Sequence, residues 1–489
     1  MRILLFSELH YYLSEVYKHV IYVLFMSELW PWIVPLPAKT NEQYQVLTSV
    51  FSSRVATSII KCIKPYDKTY QREIIEATGF SKKAILNVLS KLVKFNVLNE
   101  GTERIEKNGR KYWVKWYTPT FLGRWLIFLL TPIEKIDRKG LEEVLSNLFN
   151  LYANSLVKLC LKLNIDFNQY YTSLNKAYFS ELSKALMNTR RRCSVAVFGS
   201  SALDYIVSLD EFPEPDEVRV GREISISPGG SSANVAVALS RLKVPTAFIG
   251  KIGSDDIGRV VVKSLIDEGV DLSSVIIENK RTPYAIVFIR SGFDKRIVVP
   301  LSDDMCLSIS SPLEINWSIV DEARLIYIGE VFIEVASALS SYARSKDKIV
   351  VYRPSTPFLN MGFEKLKSIL ENTDIFITNR YGWSLICKSS SKHLGYDDFI
   401  DIGVKYLIIT KGGEGVDVAM QDGVKTFPSI KANIVDTSYA GDVFSAGLIK
   451  AILSGSGIDE AVHYAIKAST LAISRTGGRS KIPLLEELV

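Results

Sequence analysis

Asp436-Thr437-Ser438-Tyr439-Ala440-Gly441-Asp442 runs straight into Val443-Phe444-Ser445-Ala446-Gly447, a helical pattern entered through small residues. The amides of Ala440, Gly441 and Asp442 stand at the start of that helix, where unpaired N–H groups and the helix dipole stabilise negative charge on a transferring phosphate. Asp442 then faces a substrate hydroxyl and accepts its proton, since a carboxylate is the usual partner of an alcohol that attacks phosphorus. Taken alone, the motif reads equally well as an aspartate capping a helix.

Further pieces lie upstream. Thr410-Lys411-Gly412-Gly413-Glu414-Gly415 is a glycine-rich loop. In Ser227-Pro228-Gly229-Gly230-Ser231-Ser232-Ala233-Asn234, a paired glycine at a helix start lets a substrate approach the backbone, and Asn234 lies one turn in. Val195–Gly199 reads as a buried strand, with Asp204 just beyond it, where strand ends present side chains to ligands. From Ser194 onward strands and helices alternate, which argues a layered α/β fold.

In order and spacing these pieces resemble the ribokinase-like family of sugar and nucleoside kinases, also called the phosphofructokinase-B type, over residues 194–489. Ile252-Gly253-Ser254-Asp255-Asp256-Ile257-Gly258 matches a turn of that family as well. The resemblance implies a three-layer α/β sandwich with a small β-sheet lid, drawn here from strand-like pieces around Val218–Ser227 and Ala285–Val299. It implies ATP-dependent phosphorylation of a hydroxymethyl group, with Mg²⁺ bridging phosphates and the lid excluding water. On the matching positions Ala440, Gly441 and Asp442 are catalytic, while Asp204, Gly229, Gly230, Asn234 and Glu330 bind substrate. Asn379, Thr410, Gly412 and Gly415 fall on the nucleotide.

The chain departs from the family pattern at four places. Tyr439 stands where Gly or Ala is usual, and Gly382 replaces the Glu of the Asn-x-x-Glu motif that begins at Asn379, so a metal-ordering carboxylate is missing. Arg353 precedes Pro354 where Asn or Asp is common, and Ser231-Ser232 replaces a Lys-Gly found in some ribose kinases. Ribose is therefore not favoured over other sugars or nucleosides.

At 489 residues the chain exceeds what one hydrophobic core supports, so several domains are expected. Its net charge of +6 is unevenly spread: residues 41–130 hold 15 Lys or Arg against 7 Asp or Glu, leaving the remainder slightly acidic. In that basic window Val55, Ile59, Ile60 and Ile63 have helical spacing up to Pro65, and a second helix of about Tyr70–Thr78 stops at Gly79. Ser81 caps a third, with Ile85, Val88, Leu89, Leu92 and Val93 as its buried stripe and Lys82, Lys83, Asn87, Ser90, Lys91 and Lys94 outward. Thr102–Lys107 and Arg110–Tyr117 form a hairpin around Asn108-Gly109. This order resembles the winged helix-turn-helix domain of prokaryotic transcriptional regulators. The resemblance implies duplex DNA as partner, with Lys82, Lys83 and Asn87 near base edges and Arg110 and Lys111 on phosphates. A basic face that serves protein interaction is the alternative.

Residues 131–193 read as a linker of two helices that break at Asn164-Ile165-Asp166, with Leu145, Leu148, Phe149, Tyr152, Leu156 and Leu159 on one side as a homodimer seam. Residues 1–40 read as an amphipathic segment: Glu8, Glu15 and Lys18 interrupt any membrane-spanning run, and Met26 is an alternative start. Five scattered cysteines without metal spacing suit a reducing cytoplasm, and no structural metal is expected. Two functions stand open. One is a working kinase with an attached DNA-binding domain, and the other is a ligand-sensing transcriptional regulator built on a kinase fold.

Overall fold

The structure, a computed structural model, describes residues 50–488 apart from 108–109, 133–134, 189–191, 291–293, 392 and 476–477. Expectations for residues 1–40 and for the Asn108-Gly109 turn lie outside the described residues, as does the Arg110 side chain. The chain divides into two compact units after Phe167.

In the first unit, helix α1 (Arg54–Cys62) starts at Ser53, whose hydroxyl accepts from the Ala56 amide at 3.2 Å. Strand β1 (Thr69–Tyr70) and helix α2 (Gln71–Thr78) follow, and Gly79 ends α2 in the left-handed region at φ 71°. Ser81 caps α3 (Lys82–Lys94) in the same manner as Ser53. Strands β2 (Leu98–Lys107) and β3 (Arg110–Pro119) pair antiparallel and run longer than the sequence pattern indicates, and β1 adds to β3. Ile59, Ile60, Ile74, Ile85, Leu89, Leu92 and Tyr117 form the core, while Val88 and Val93 are only partly covered. Lys82, Lys83, Asn87, Lys91, Lys94 and Lys111 are exposed.

Helix α4 (Phe121–Leu129) places Trp125 and Phe128 against Val144 and Leu148 of α5 (Arg138–Leu163). Beyond Leu148 the expected stripe is not buried: Phe149, Tyr152 and Leu159 face outward. Asn164, at φ 52°, closes α5 at the expected break. The two linker helices do not form one segment, because α6 (Asn168–Asn188) belongs to the second unit, where Leu186 enters the main core.

The second unit is built on strands so apolar that they are buried on both faces. They are β4 (Val195–Phe198), β7 (Thr246–Ile249), β12 (Leu325–Ile328), β13 (Ile349–Tyr352), β14 (Ile375–Asn379), β15 (Tyr406–Thr410) and β16 (Val416–Met420), with β17 (Gly423–Phe427) as an edge strand that is exposed except at Phe427. Their order is β17-β16-β15-β14-β13-β12-β4-β7, parallel from β15 to β7 and antiparallel at β16 and β17. Residues alternate between two cores: Val195 and Val197 pack into one, Ala196 and Phe198 into the other. Helices α7 (Ser231–Arg241), α15 (Ala440–Leu453) and α16 (Ile458–Ile473) contribute to the first core, and α10 (Ile333–Ser345) and α12 (Phe363–Leu370) to the second. This is the expected three-layer α/β sandwich.

A second sheet of four strands has the order β11-β10-β5-β6, from β5 (Ala202–Leu209), β6 (Glu223–Gly229), β10 (Tyr284–Arg290) and β11 (Asp294–Val298). Two details of the lid differ from expectation. Residues 218–222 are not strand, and β5 is a lid strand of its own, so Asp204 lies within it and not in a loop after β4. A short parallel pair, β8 (Lys251–Gly253) with β9 (Ile276–Glu278), flanks α8 (Asp256–Asp267) in the chain, and the cap of α8, Asp255, accepts from the Gly258 amide at 2.8 Å and from Thr282 Oγ1 at 2.6 Å. Among the described residues no helix is long and apolar enough to cross a membrane.

Candidate active site

The stretch Asp436–Asp442 enters α15 through Tyr439, which adopts φ 66°, a conformation that glycine takes without strain. The Tyr439 ring is buried and its hydroxyl lies 3.3 Å from Ser227 Oγ. Burial pushes its phenol up to about 12. The Ala440 amide donates to the Thr437 carbonyl at 3.4 Å, so the donors aimed outward from the helix start narrow to Gly441 and Asp442.

Asp442, 8% exposed, is the hub. Its Oδ1 accepts from Ser231 Oγ and from Arg353 Nη1, both at 2.8 Å, and its Oδ2 accepts from Asn234 Nδ2 at 3.0 Å. Asn234 in turn accepts at Oδ1 from Arg479 Nε at 3.0 Å, and Arg479 Nη2 donates to the Gly229 carbonyl at 2.8 Å. Burial lowers the Arg479 guanidinium to about 10, partly opposed by Tyr439, Asp204, Glu268 and Asp442. On β5, Asp204 lies against Gly229, where a Cβ would collide with its carboxylate. Burial pushes the Asp204 carboxyl up to about 6; nearby Asp442 adds to the rise, while Arg479 and Lys295 oppose it. Gly230 has φ 86° and packs on Ser201. Asn234 and Asp442 are thus linked through Arg479 to Gly229, with Gly230 at the start of α7 and Asp204 packed against Gly229.

Glu330, after β12, accepts at Oε2 from Ser232 Oγ at 2.6 Å and from Ser200 Oγ at 3.1 Å, which ties the β12 end to the starts of α7 and β5. It also lines a cavity of about 160 Å³ together with Arg353, Asn379, Thr410 and Gly441. That cavity joins the helix start to Asn379 and Thr410, two of the residues expected on the nucleotide. Asn379 caps α13 (Arg380–Lys388), accepting from the Gly382 amide at 2.7 Å. Gly412 and Gly415 hold φ 61° and 90° in the loop after β15, and Gly412 has open space where a Cβ would stand.

Behind the helix start, Lys481 is fully buried and bonds Asp436 through its carboxylate at 2.5 Å and its carbonyl at 3.0 Å. Its ammonium also lies over the Tyr439 ring. Burial lowers its pKa, the Asp436 contact opposing. Sequence reasoning missed Arg479 and Lys481. The available signal was a basic cluster, Arg479-Ser480-Lys481, after Gly477-Gly478 near the end of an otherwise apolar α/β segment.

Among the described residues, those at the Asn-x-x-Glu position and the glycine-rich loop do not form a resident magnesium site. Asn379 spends its side-chain oxygen on the helix cap, Gly382 offers no carboxylate, and Glu414 is paired with Arg380. Among the described residues no group of three His, Cys, Asp or Glu side chains is arranged to hold a metal ion.

Compared with protein-family models, residues 193–485 match pfkB family carbohydrate kinase. A ribokinase of Haemophilus influenzae is 26% identical over 302 residues, covering 60% of this chain and 97% of that protein. A nucleoside kinase of Methanothermobacter thermautotrophicus is 26% identical over 292 residues, covering 60% and 93%. Among solved structures, the Methanocaldococcus jannaschii nucleoside kinase has a TM-score of 0.53 at 21% identity, covering 60% of this chain and 96% of that one. Arabidopsis thaliana ribokinase, complexed with ribose and ATP, has a TM-score of 0.51 at 22% identity, covering 61% and 98%.

Proposed function

The chain belongs to the pfkB family of carbohydrate kinases, and from that premise we propose that residues 194–489 transfer the γ-phosphoryl group of ATP to a hydroxymethyl group of a sugar or nucleoside. The observation that carries this reading is Asp442 at the start of α15, bonded by three separate side chains, two of which, Ser231 and Arg353, line the Asn379–Thr410 cavity. Substrate lies on Asp204, Gly229, Gly230, Asn234 and Glu330. The nucleotide runs along Asn379, Thr410, Gly412 and Gly415. Asp442 takes the hydroxyl proton while the Gly441 and Asp442 amides hold the phosphoryl oxygens. The relatives named ribokinase and nucleoside kinase support the substrate class. Incubating the protein with ATP and a panel of sugars and nucleosides tests the proposal: a phosphorylated acceptor supports it, and a panel left untouched refutes it.

For the first unit we propose binding of duplex DNA. Support comes from the exposed cations Lys82, Lys83, Lys91 and Lys94, with Asn87, on α3, and from exposed Lys111 on the hairpin. Lys82, Lys83 and Asn87 then meet base edges, and Arg110 and Lys111 meet phosphate. Affinity should fall steeply with salt as counterions are released, and absence of measurable binding at low salt assigns this face to protein contacts instead. The exposed Phe149, Tyr152 and Leu159 on α5 support a homodimer seam, tested by sedimentation of the full chain.

A further inference from the structure

Arg353 follows β13, and its guanidinium spans two parts of the site. Nη1 donates to Asp442 Oδ1 at 2.8 Å and to Ser231 Oγ at 2.9 Å. Nη2 lies against Gly441 so closely that a Cβ there would collide with it. The side chain is 23% exposed, and it lines the cavity that also holds Asn379 and Thr410. Among the described residues lining that cavity, Arg353 is the only cation. Two nearby cations are already engaged, since Lys411 bonds Asp417 at 2.6 Å and Arg380 is paired with Glu414.

We infer that Arg353 is a further catalytic residue, the cation that touches the phosphoryl group in flight between the acceptor oxygen at Asp442 and the amides of Gly441 and Asp442. The inference rests on the phosphoryl-transfer reading above. In the step, the acceptor oxygen bonds to the γ-phosphorus and the bond from that phosphorus to the β–γ bridging oxygen breaks. The hydroxyl proton passes to Asp442, and ADP leaves with the electron pair. Negative charge spreads over three equatorial oxygens at that moment, and a planar guanidinium offers fixed, parallel N–H donors to meet it. Protonation of Asp442 loosens its hold on Nη1 as this charge builds. The contact therefore strengthens in the transition state relative to the ground state, which is the condition for accelerating the reaction. The position of Arg353 also answers the missing carboxylate at Gly382: where the chain lacks a group to order a metal, it places a cation of its own.

The test measures binding of ADP, with and without tetrafluoroaluminate as a planar mimic of the moving phosphoryl group, to the full chain and to Arg353→Gln and Arg353→Lys. Arg353→Gln should weaken the ADP–tetrafluoroaluminate complex by about 10²–10³-fold, the usual worth of one transition-state donor, and leave ADP alone within about threefold. Arg353→Lys, a point charge without the fork, should recover part of the loss. Equal losses with both ligands, or none with either, overturn the assignment. If Arg353→Gln does not fold, Arg353→Lys decides on the same selective loss. Transfer from ATP to the acceptor panel is run beside it on the unmodified chain, where failure defeats the phosphoryl-transfer reading and leaves the analogue result to judge Arg353 separately.

Discussion

Replacing Asp204 with asparagine removes a charge that the fold holds at a cost. Burial raises this carboxyl from 3.8 to about 6. At about 1.4 kcal/mol per unit, the ionised form costs the folded state about 3 kcal/mol at neutral pH. The sign follows from proton binding: the folded carboxyl holds its proton more tightly than the unfolded one. The stability tied to that proton is complete below pH 3.8 and is lost as pH rises through about 6. Asparagine has the same shape and no charge to lose. Asp204→Asn should therefore match the parent near the acid end and exceed it by about 3 kcal/mol above neutrality, while the substrate role proposed for Asp204 requires substrate affinity to fall. Urea unfolding of both proteins across this pH range reads the difference directly. A gap that does not change with pH, or a variant less stable at neutral pH, would refute the reasoning.

Two further substitutions probe the approach to α15. Tyr439→Gly should relieve about 1 kcal/mol of left-handed backbone strain but lose about 3 kcal/mol of buried ring, lowering the urea midpoint while phosphoryl transfer is preserved; a large loss of transfer would show that the ring touches a ligand. Lys481→Met should cost about 3–5 kcal/mol by stranding the Asp436 carboxylate, and adding Asp436→Asn should recover a good part of it; no recovery in the double variant would mean that the two groups are not coupled.

Much of the α/β unit was legible because its strands are short, continuous apolar runs separated by helical periodicity, so burial on both faces left little choice of layer. The motif residues were legible for a different reason. Gly229, Gly230 and Gly441 stand where a Cβ would strike Asp204, Ser201 and Arg353, and glycines at helix starts are visible in the sequence itself. Strand β5 was missed because Asp204 interrupts the apolar run Leu203–Val207 and its pairing with β10 lies some eighty residues away. Arg479 and Lys481 escaped notice because long-range packing alone brings them to Asn234 and Asp436. The apolar pattern of α5 indicated a helix and its break, but no local signal tells an apolar face that is buried from one left exposed, as at Phe149 and Tyr152.

Transfer of labelled phosphate from ATP to the best acceptor of the sugar and nucleoside panel, by the parent chain and by Asp442→Asn, tests the role proposed for Asp442 and the proposed reaction in one assay. The parent should form the labelled product, and Asp442→Asn should lose about 10²–10⁴ of kcat with nucleotide affinity nearly unchanged. Unaltered turnover in Asp442→Asn would contradict the assignment of the base, and no transfer by the parent to any acceptor would contradict the function itself.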